Sequence, residues 1–335
     1  MAADGPDAPD ASDRPAAGEA PDATDAGDAA DPTDAPHPSF EAYAAEPVPQ
    51  AAVGSPGKDG VLELTFAATA RGTRLVHDYA TAPFHVSGTL GHDPHPDAET
   101  VFVQSPTGGV AQGDRHDVTV EVGADAVAHV STQSSTKVQE MERNYAGAEY
   151  ALTVGSGGHL DYVPEPTILH ADSRFAQSLT LDLAAGATAV LGDVVVPGRL
   201  ARGERFAFER YLSRVRAEGP DGLLFEDATA LAPAESDPRA PGVLGEFAVY
   251  GTLFVVAPDR DAAALSDDLH AAATSTEVVA AGEARAGATE LPNGAGAAVR
   301  ALGHRAETVG VALHEGWDRA RRELLDAPAP AGRKY

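Results

Sequence analysis

Residues 105–122 read SPTGGVAQGDRHDVTVEV, and the end of this stretch decides how its beginning is read. Gly108, Gly109 and Gly113 fall within six residues, and a backbone without Cβ atoms can turn its N–H groups toward an anion. A phosphate loop, however, needs a strand before it and a helix after it, and a P-loop adds Gly-Lys-Ser/Thr at the junction. Here the glycines are followed by acidic residues and by a period-two pattern that puts Val118, Val120 and Val122 on one face of a β-strand. The glycines therefore read as a turn into a strand, and the fold as one built on strands.

Outward from that strand, VTVEVGADAVAHVSTQ from Val118, ALTVGSGGHLDYVPEP from Ala151 and LTLDLAAGATAVLGDV from Leu179 share one form. Each is a strand, a turn of glycine and small residues, and a second strand. Their turns centre near Ala124, Gly158 and Gly186, about 30 residues apart, a spacing that fits one hairpin and a return strand. A single hairpin cannot bury its apolar face, so consecutive units are expected to stack face to face. The stretch from Val61, with Leu62, Leu64 and Phe66 alternating and Gly72 breaking the run, reads as another hairpin, as does 205–231 with a turn at Gly219–Gly222. EFAVYGTLFVVAP (246–258) continues the strand pattern.

The C-terminal quarter changes period. SDDLHAAATS (266–275) offers Ser266 as an N-cap, and Val309, Leu313, Trp317 and Leu324 recur at helical spacing between Arg305 and Leu325. Gly310 and Gly316 weaken the second helix by up to about 1 kcal/mol each relative to alanine, while Arg319, Arg321 and Arg322 suit its C-terminal dipole. The expected fold is mainly β: an extended multi-stranded body of stacked hairpins over residues 58–335, ending in two α-helices. Residues 1–57 precede it as a disordered acidic tail, because a segment of Ala, Asp and Pro with so little apolar area cannot offset its ordering entropy.

Of the 335 residues, 51 are acidic and 24 basic, a net charge of −27, and only Lys58, Lys137 and Lys334 are lysines. Repulsion of that size is screened when the Debye length falls to about 3 Å near molar salt, which points to a halophilic cytoplasm. The same charge argues against nucleic acid as a partner, since no basic stripe can displace counterions from phosphates. The absence of cysteine excludes disulfides and thiolate chemistry. No apolar run reaches the roughly 18–20 residues needed to span a bilayer, and no basic-plus-hydrophobic leader opens the chain, so a cytoplasmic location without a membrane partner is expected.

Four clusters could carry chemistry. GHDPHP (91–96) places His92, Asp93 and His95 in a proline-bounded loop, although the helical H-E-x-x-H arrangement is missing. In LHEGWDRARR (313–322), His314 and Asp318 lie one helical turn apart and could pair, beside Glu315. GRLARGERF (198–206) gathers Arg199, Arg202, Glu204 and Arg205, which suits a salt-bridged turn more readily than an anion site. Ser134 and Lys137 match S-x-x-K, but without its partner motifs and in a strand context they read as an edge or interface.

In order and spacing, SPTGGVAQGDRHDVTVEVGADAVAHVSTQSSTKVQE (105–140) resembles the central block of the UreD (UreH) family of urease accessory proteins. Gly108, Gly109, Gly113, Asp114, Arg115, Thr132, Gln133, Thr136 and Lys137 carry the resemblance. It extends through PEPTIL (164–169, with Pro164 and Glu165), GRLARGERF (with Gly198, Arg199, Gly203 and Glu204), VYGTLFV (249–255) and the closing GWDRARRELL. The chain departs from the family in its acidic tail and at Gln139–Glu140.

The resemblance implies a non-catalytic scaffold that binds apo-urease on one side and UreF on the other. UreF in turn carries UreG, to which any GTP hydrolysis belongs. It implies no permanently bound cofactor, but nickel in transit, for which buried Glu, Asp and His are the candidate ligands. Glu165 and His170 are the named candidates. The competing expectation is a metal-dependent hydrolase built from the scattered His and Asp residues; it requires several ligands converging on one cleft. A repeat-type adhesion module fits less well without a leader.

Overall fold

The computed structural model describes residues 1, 35–48, 56–91, 93–106 and 108–331. A one-turn helix α1 (Glu41–Ala44) precedes strands β1 (Asp59–Thr69), β2 (Gly72–Ala80), β3 (His85–Leu90), β4 (Ala98–Gln104), β5 (Arg115–Val122), β6 (Val127–Thr132) and β7 (Thr136–Val138). Next come β8 (Ala146–Val154), β9 (His159–Tyr162), β10 (Thr167–Leu169), β11 (Arg174–Leu183), β12 (Thr188–Val196), β13 (Arg210–Gly219), β14 (Gly222–Leu231) and β15 (Val249–Val256). The chain ends in α2 (Ala262–Thr274), α3 (Glu277–Ala280), β16 (Ala284–Glu290), β17 (Gly296–Gly303) and α4 (Ala306–Leu325).

Two sheets result. The first runs β14-β13-β11-β8-β5-β1-β2, and the second β16-β17-β15-β12-β9-β6-β4-β3, with β10 joining β12 to β7. The mainly β class with C-terminal helices is as expected, but the pairing inside the repeated units is not. β5, β8 and β11 lie parallel in the first sheet, and β6, β9 and β12 lie parallel in the second. Each strand–turn–strand unit is therefore an arch that crosses from one sheet to the other. Alternating sequence fixes which side chains face inward, but not whether the next strand pairs beside its neighbour or across the core about 10 Å away.

The arches stack on one another through their turns. Gly155 N donates to Val122 O at 2.7 Å and Ala184 N to Val154 O at 2.9 Å, so each coil satisfies the backbone of the one before it. A Cβ on Gly157, where φ is +68°, would stand 2.5 Å from Asp125 Oδ1 of the preceding turn. Between the sheets, Leu62, Leu64, Phe66, Val120, Leu152, Leu160 and Leu181 interdigitate almost without exposure. Each such side chain contributes about 1.5–3 kcal/mol. Among the described residues, hairpins occur at the ends of both sheets: β1–β2 and β13–β14 in the first, where Gly72 and Gly219–Gly222 make the turns that the sequence indicates, and β3–β4 and β16–β17 in the second.

The helices cover the outer face of the second sheet. Leu265 and Leu269 of α2 and Val309, Leu313 and Trp317 of α4 pack with Leu253, Val255 and Val299. Gly251 permits the approach, since a Cβ there would lie 2.6 Å from Leu313 Cδ1. The N-cap of α2 is Asp261, whose carboxylate accepts from the amides of Ala263 and Ala264 at 3.1 Å, whereas Ser266 is buried within the helix. β16 and β17 between the helices were not foreseen, because ARAGATE and GAAVRALG are rich in alanine and glycine, which strands disfavour. Among the described residues no helix is long and apolar enough to cross a membrane.

Part of the expected tail is docked on the body. Phe40 is fully buried with Tyr145, Ala176 and Leu212, and Tyr43 donates to Glu209 at 2.7 Å. Arg174 binds Glu46 and Glu209 together. An apolar anchor and a two-carboxylate clamp offset the ordering cost that composition alone predicted would prevail. The acidic run 2–34 lies outside the described residues.

Candidate functional site

The glycine loop spends its amides on the protein itself. Val110 N donates to Lys137 O and Gln139 N to Val110 O, both at 2.8 Å, which lays the loop along β7. Gly109, with φ of +128°, would carry a Cβ only 2.2 Å from Lys137 O. Gly113 packs on Val48, and the fully buried Asp114 carboxylate accepts from the amides of Lys58 and Ala111 at 2.9 Å. Arg115 donates to Asn144 Oδ1 and to the carbonyls of Asp114 and Tyr145. These contacts make a turn that joins β1, β5 and β7.

The remaining motif residues fall into two groups. Thr132 Oγ1 accepts from Glu165 N at 2.9 Å, Gln133 N donates to Val103 O at 2.8 Å, and Thr136 N donates to Pro166 O at 3.0 Å. Thr132, Gln133, Thr136, Lys137, Pro164 and Glu165 thus form one end of the second sheet. GRLARGERF is the salt-bridged turn: Arg199 Nε donates to Glu204 Oε2 at 2.8 Å, and Glu204 Oε1 accepts from Ala171 N at 2.9 Å. Burial would raise the Glu204 carboxyl, but hydrogen bonds from Arg199 and the Ala171 amide hold it below its ordinary range. Gly198 sits against the Glu204 carbonyl and Gly203 closes the turn.

Three cavities adjoin this end of the β body. One of about 90 Å³ lies between the sheets, with His116, Ser131, Thr132, Thr136, Lys137, Tyr150 and Tyr162 among the residues of its wall. A second of about 60 Å³ shares Thr132, Thr136, Tyr150, Tyr162 and Phe175 with it and continues inward to Asp193. The third, about 470 Å³, lies between the second sheet and α4, with His129, His314, Trp317 and Glu307 in its wall. Pro164, Glu165 and Gly192 are common to the second and third, so Glu165 stands where the inner space meets the outer one. His170 lines none of the three; it is buried under the 198–206 turn, where burial, reinforced by Arg199, lowers its pKa.

The interior polar groups escaped the sequence reading. Asp193 is surrounded by Gln177, Tyr211 and Ser213, each donating to it at 3.4 Å, longer than an ordinary hydrogen bond. Burial outweighs these bonds and pushes its carboxyl up to about 6. A signal was present: Leu191, Asp193 and Val195 alternate, as do His116, Val118 and Val120, so a titratable residue occupies an apolar parity in each strand.

The α4 wall of the outer cavity is fixed by a buried ionic network. Trp317 Nε1 donates to Asp161 Oδ1 at 2.7 Å, and Arg321, without exposed surface, bridges Asp161, Asp93 and the Pro328 carbonyl. Burial would raise Asp161, but His159, Arg321 and His129 hold it well below the usual carboxylate range.

The expected metal clusters do not assemble. Asp93 is committed to Arg321, His95 Nδ1 accepts from Asp97 N at 3.2 Å, and His92 lies outside the described residues. Asp318 pairs with Arg322 and Ala329 N instead of His314. Ser134 precedes β7 and Lys137 lies within it, so the pair does not open a helix. Among the described residues no group of three or more His, Asp or Glu side chains is arranged to hold a metal ion.

Comparison with known proteins gives a consistent result. The family described as UreD urease accessory protein matches residues 58–334. The urease accessory protein UreD of Haloarcula marismortui is 76% identical over 300 residues, covering 90% of this chain and 98% of that protein. UreD of Natronomonas pharaonis is 45% identical over 298 residues (89% and 98%), and UreD 2 of Brucella canis 33% over 292 (86% and 95%). With its arches, its motif turns and its α4 clamp all inside the matched span, the chain belongs to the UreD family of urease accessory proteins.

Proposed function

We propose that this chain is the non-catalytic scaffold on which apo-urease meets the nickel-delivery proteins UreF and, through it, UreG, so that nickel enters the urease active site. The observation that carries this reading is the run of adjoining cavities, with Glu165 at the junction between the inter-sheet space and the outer groove. Nickel is a borderline cation that favours imidazole and oxygen donors over apolar walls. His116, Asp193, Glu165 and His129 are donors of that kind spaced along these cavities. Spaced single donors suit an ion that must leave again, since conduction needs sites strong enough to enter and weak enough to release.

The hydrolase alternative required ligands converging on one cleft, and among the described residues none converge. The acid excess fits work in a salt-rich cytoplasm. The test is co-expression of tagged chain with the urease subunits, UreF and UreG, purification in molar potassium chloride, and a urease assay with and without the chain. Co-purification, with activation only when the chain is present, supports the scaffold; urease that activates equally without it refutes it.

A further inference from the structure

We propose that His116 is a transit ligand for divalent nickel inside the cavity between the two sheets, a role that rests on the passage reading above. His116 occupies the second position of β5, two residues before Val118, so strand alternation aims its ring into the core. The residue is 6% exposed, and Nε2 has no hydrogen-bond partner among the described residues. Leaving a buried polar nitrogen unpaired costs about 1–3 kcal/mol, so a core histidine serving only as filler is expected to find a partner or be replaced by an apolar residue.

The ring is held in place by packing. Phe84 meets it edge-on with centroids 4.8 Å apart, and at Gly60 an added Cβ would come within 3.1 Å of its Cδ2. His116 lines a cavity of about 90 Å³, several times the space one water needs. Burial lowers the imidazole pKa, with Asp114 opposing and Lys58 assisting, so the ring is neutral near pH 7. A neutral imidazole keeps one lone pair, which is the donor a borderline divalent cation prefers.

The other polar residues in that wall are serines and threonines, among them Ser131, Thr132 and Thr136, the phenols of Tyr150 and Tyr162, Gln104 and Lys137. Neutral oxygens hold a divalent ion weakly, and the Lys137 ammonium, which has no lone pair, opposes its retention. A hard ion such as magnesium gains little from this set, because its preference is for carboxylates and water. Selection by nitrogen with weak retention is the property of a relay point rather than of a storage site.

The test uses the full chain in molar potassium chloride and nickel chloride alone as probe. Histidine side-chain NMR signals are followed during substoichiometric addition, with His116 assigned through His116→Gln. The paramagnetic ion should broaden His116 at least as early as the exposed His77, magnesium should leave it unchanged, and His116→Leu should remove the effect while retaining the circular dichroism of the fold. In the co-expressed maturation assay, His116→Leu should slow urease activation several-fold at limiting nickel and match the parent at excess nickel. If Leu fails to fold, His116→Gln supplies both readouts.

Nickel that broadens His77 but leaves His116 sharp overturns the inference, and so does a variant that activates urease at the parental rate under limiting nickel. Neither result touches the scaffold reading, which fails only if the parent chain itself proves dispensable.

Discussion

Trp317 on α4 and Asp161 on β9 are joined by a 2.7 Å hydrogen bond from indole to carboxylate, and the same carboxylate anchors Arg321 one helical turn later. The two contacts fix both the rotation and the height of α4 on the second sheet. They also set the wall of the outer cavity, since Trp317, Leu313 and Gly310 face it.

Asp161→Asn should therefore be strongly destabilising. It leaves Arg321 buried with Asp93 as its remaining carboxylate, and breaking a buried pair from one side costs about 3–5 kcal/mol. Asp318→Asn, which disturbs a half-exposed pair with Arg322, should change little. Urea unfolding in molar salt checks both; equal midpoints for the two variants would show that the network does not hold the helix.

The glycine loop gives a sharper contrast. Gly109→Val forces a Cβ onto the Lys137 carbonyl at positive φ, and soluble protein should be lost. At Gly108, with φ of +86° and open space around it, alanine should cost only about 1–2 kcal/mol. Normal yield of Gly109→Val would remove the structural account of this turn.

How far the sequence carried the fold can be read from these same residues. The alternation of Val118, Val120 and Val122 and the 30-residue recurrence of small turns correctly marked strands and their period. The partner of each strand was not legible, because an arch and a hairpin present the same alternating residues and differ only in the backbone path through turns such as Asp125 and Gly157. The site was less legible still. Glu165 was named through its motif and lines two of the cavities, whereas His116, Asp193 and Asp161 sit in strands where a lone polar residue on an apolar face gains meaning only when the facing sheet is in place.

Residues 35–48, which composition had placed in the tail, are anchored on the body. Phe40→Ala, or removal of everything before Lys58, should lower the unfolding midpoint below that of the parent chain. Emptying a buried phenylalanine site costs about 3–5 kcal/mol, less whatever the released strap regains in entropy. Thermal scans of the three chains in the same salt provide the check, and an unchanged midpoint for Phe40→Ala would mean that the strap contributes nothing to the body.

Asp193 makes stability depend on pH in the direction opposite to a salt-bridged acid. Its folded pKa of about 6 lies above the ordinary 3.8, so between those values the unfolded chain releases its proton first. Stability is therefore lost as pH rises through that window, by up to about 3 kcal/mol at 1.36 kcal/mol per unit, and levels off above neutrality. Asparagine cannot titrate, so Asp193→Asn should compare less favourably with the parent at pH 4.5 than at pH 7.5. Unfolding curves of both proteins at the two pH values decide the matter. A difference between variant and parent that stays constant would place the carboxylate in water rather than between the sheets, and would remove Asp193 from the donors available to an ion inside the β body.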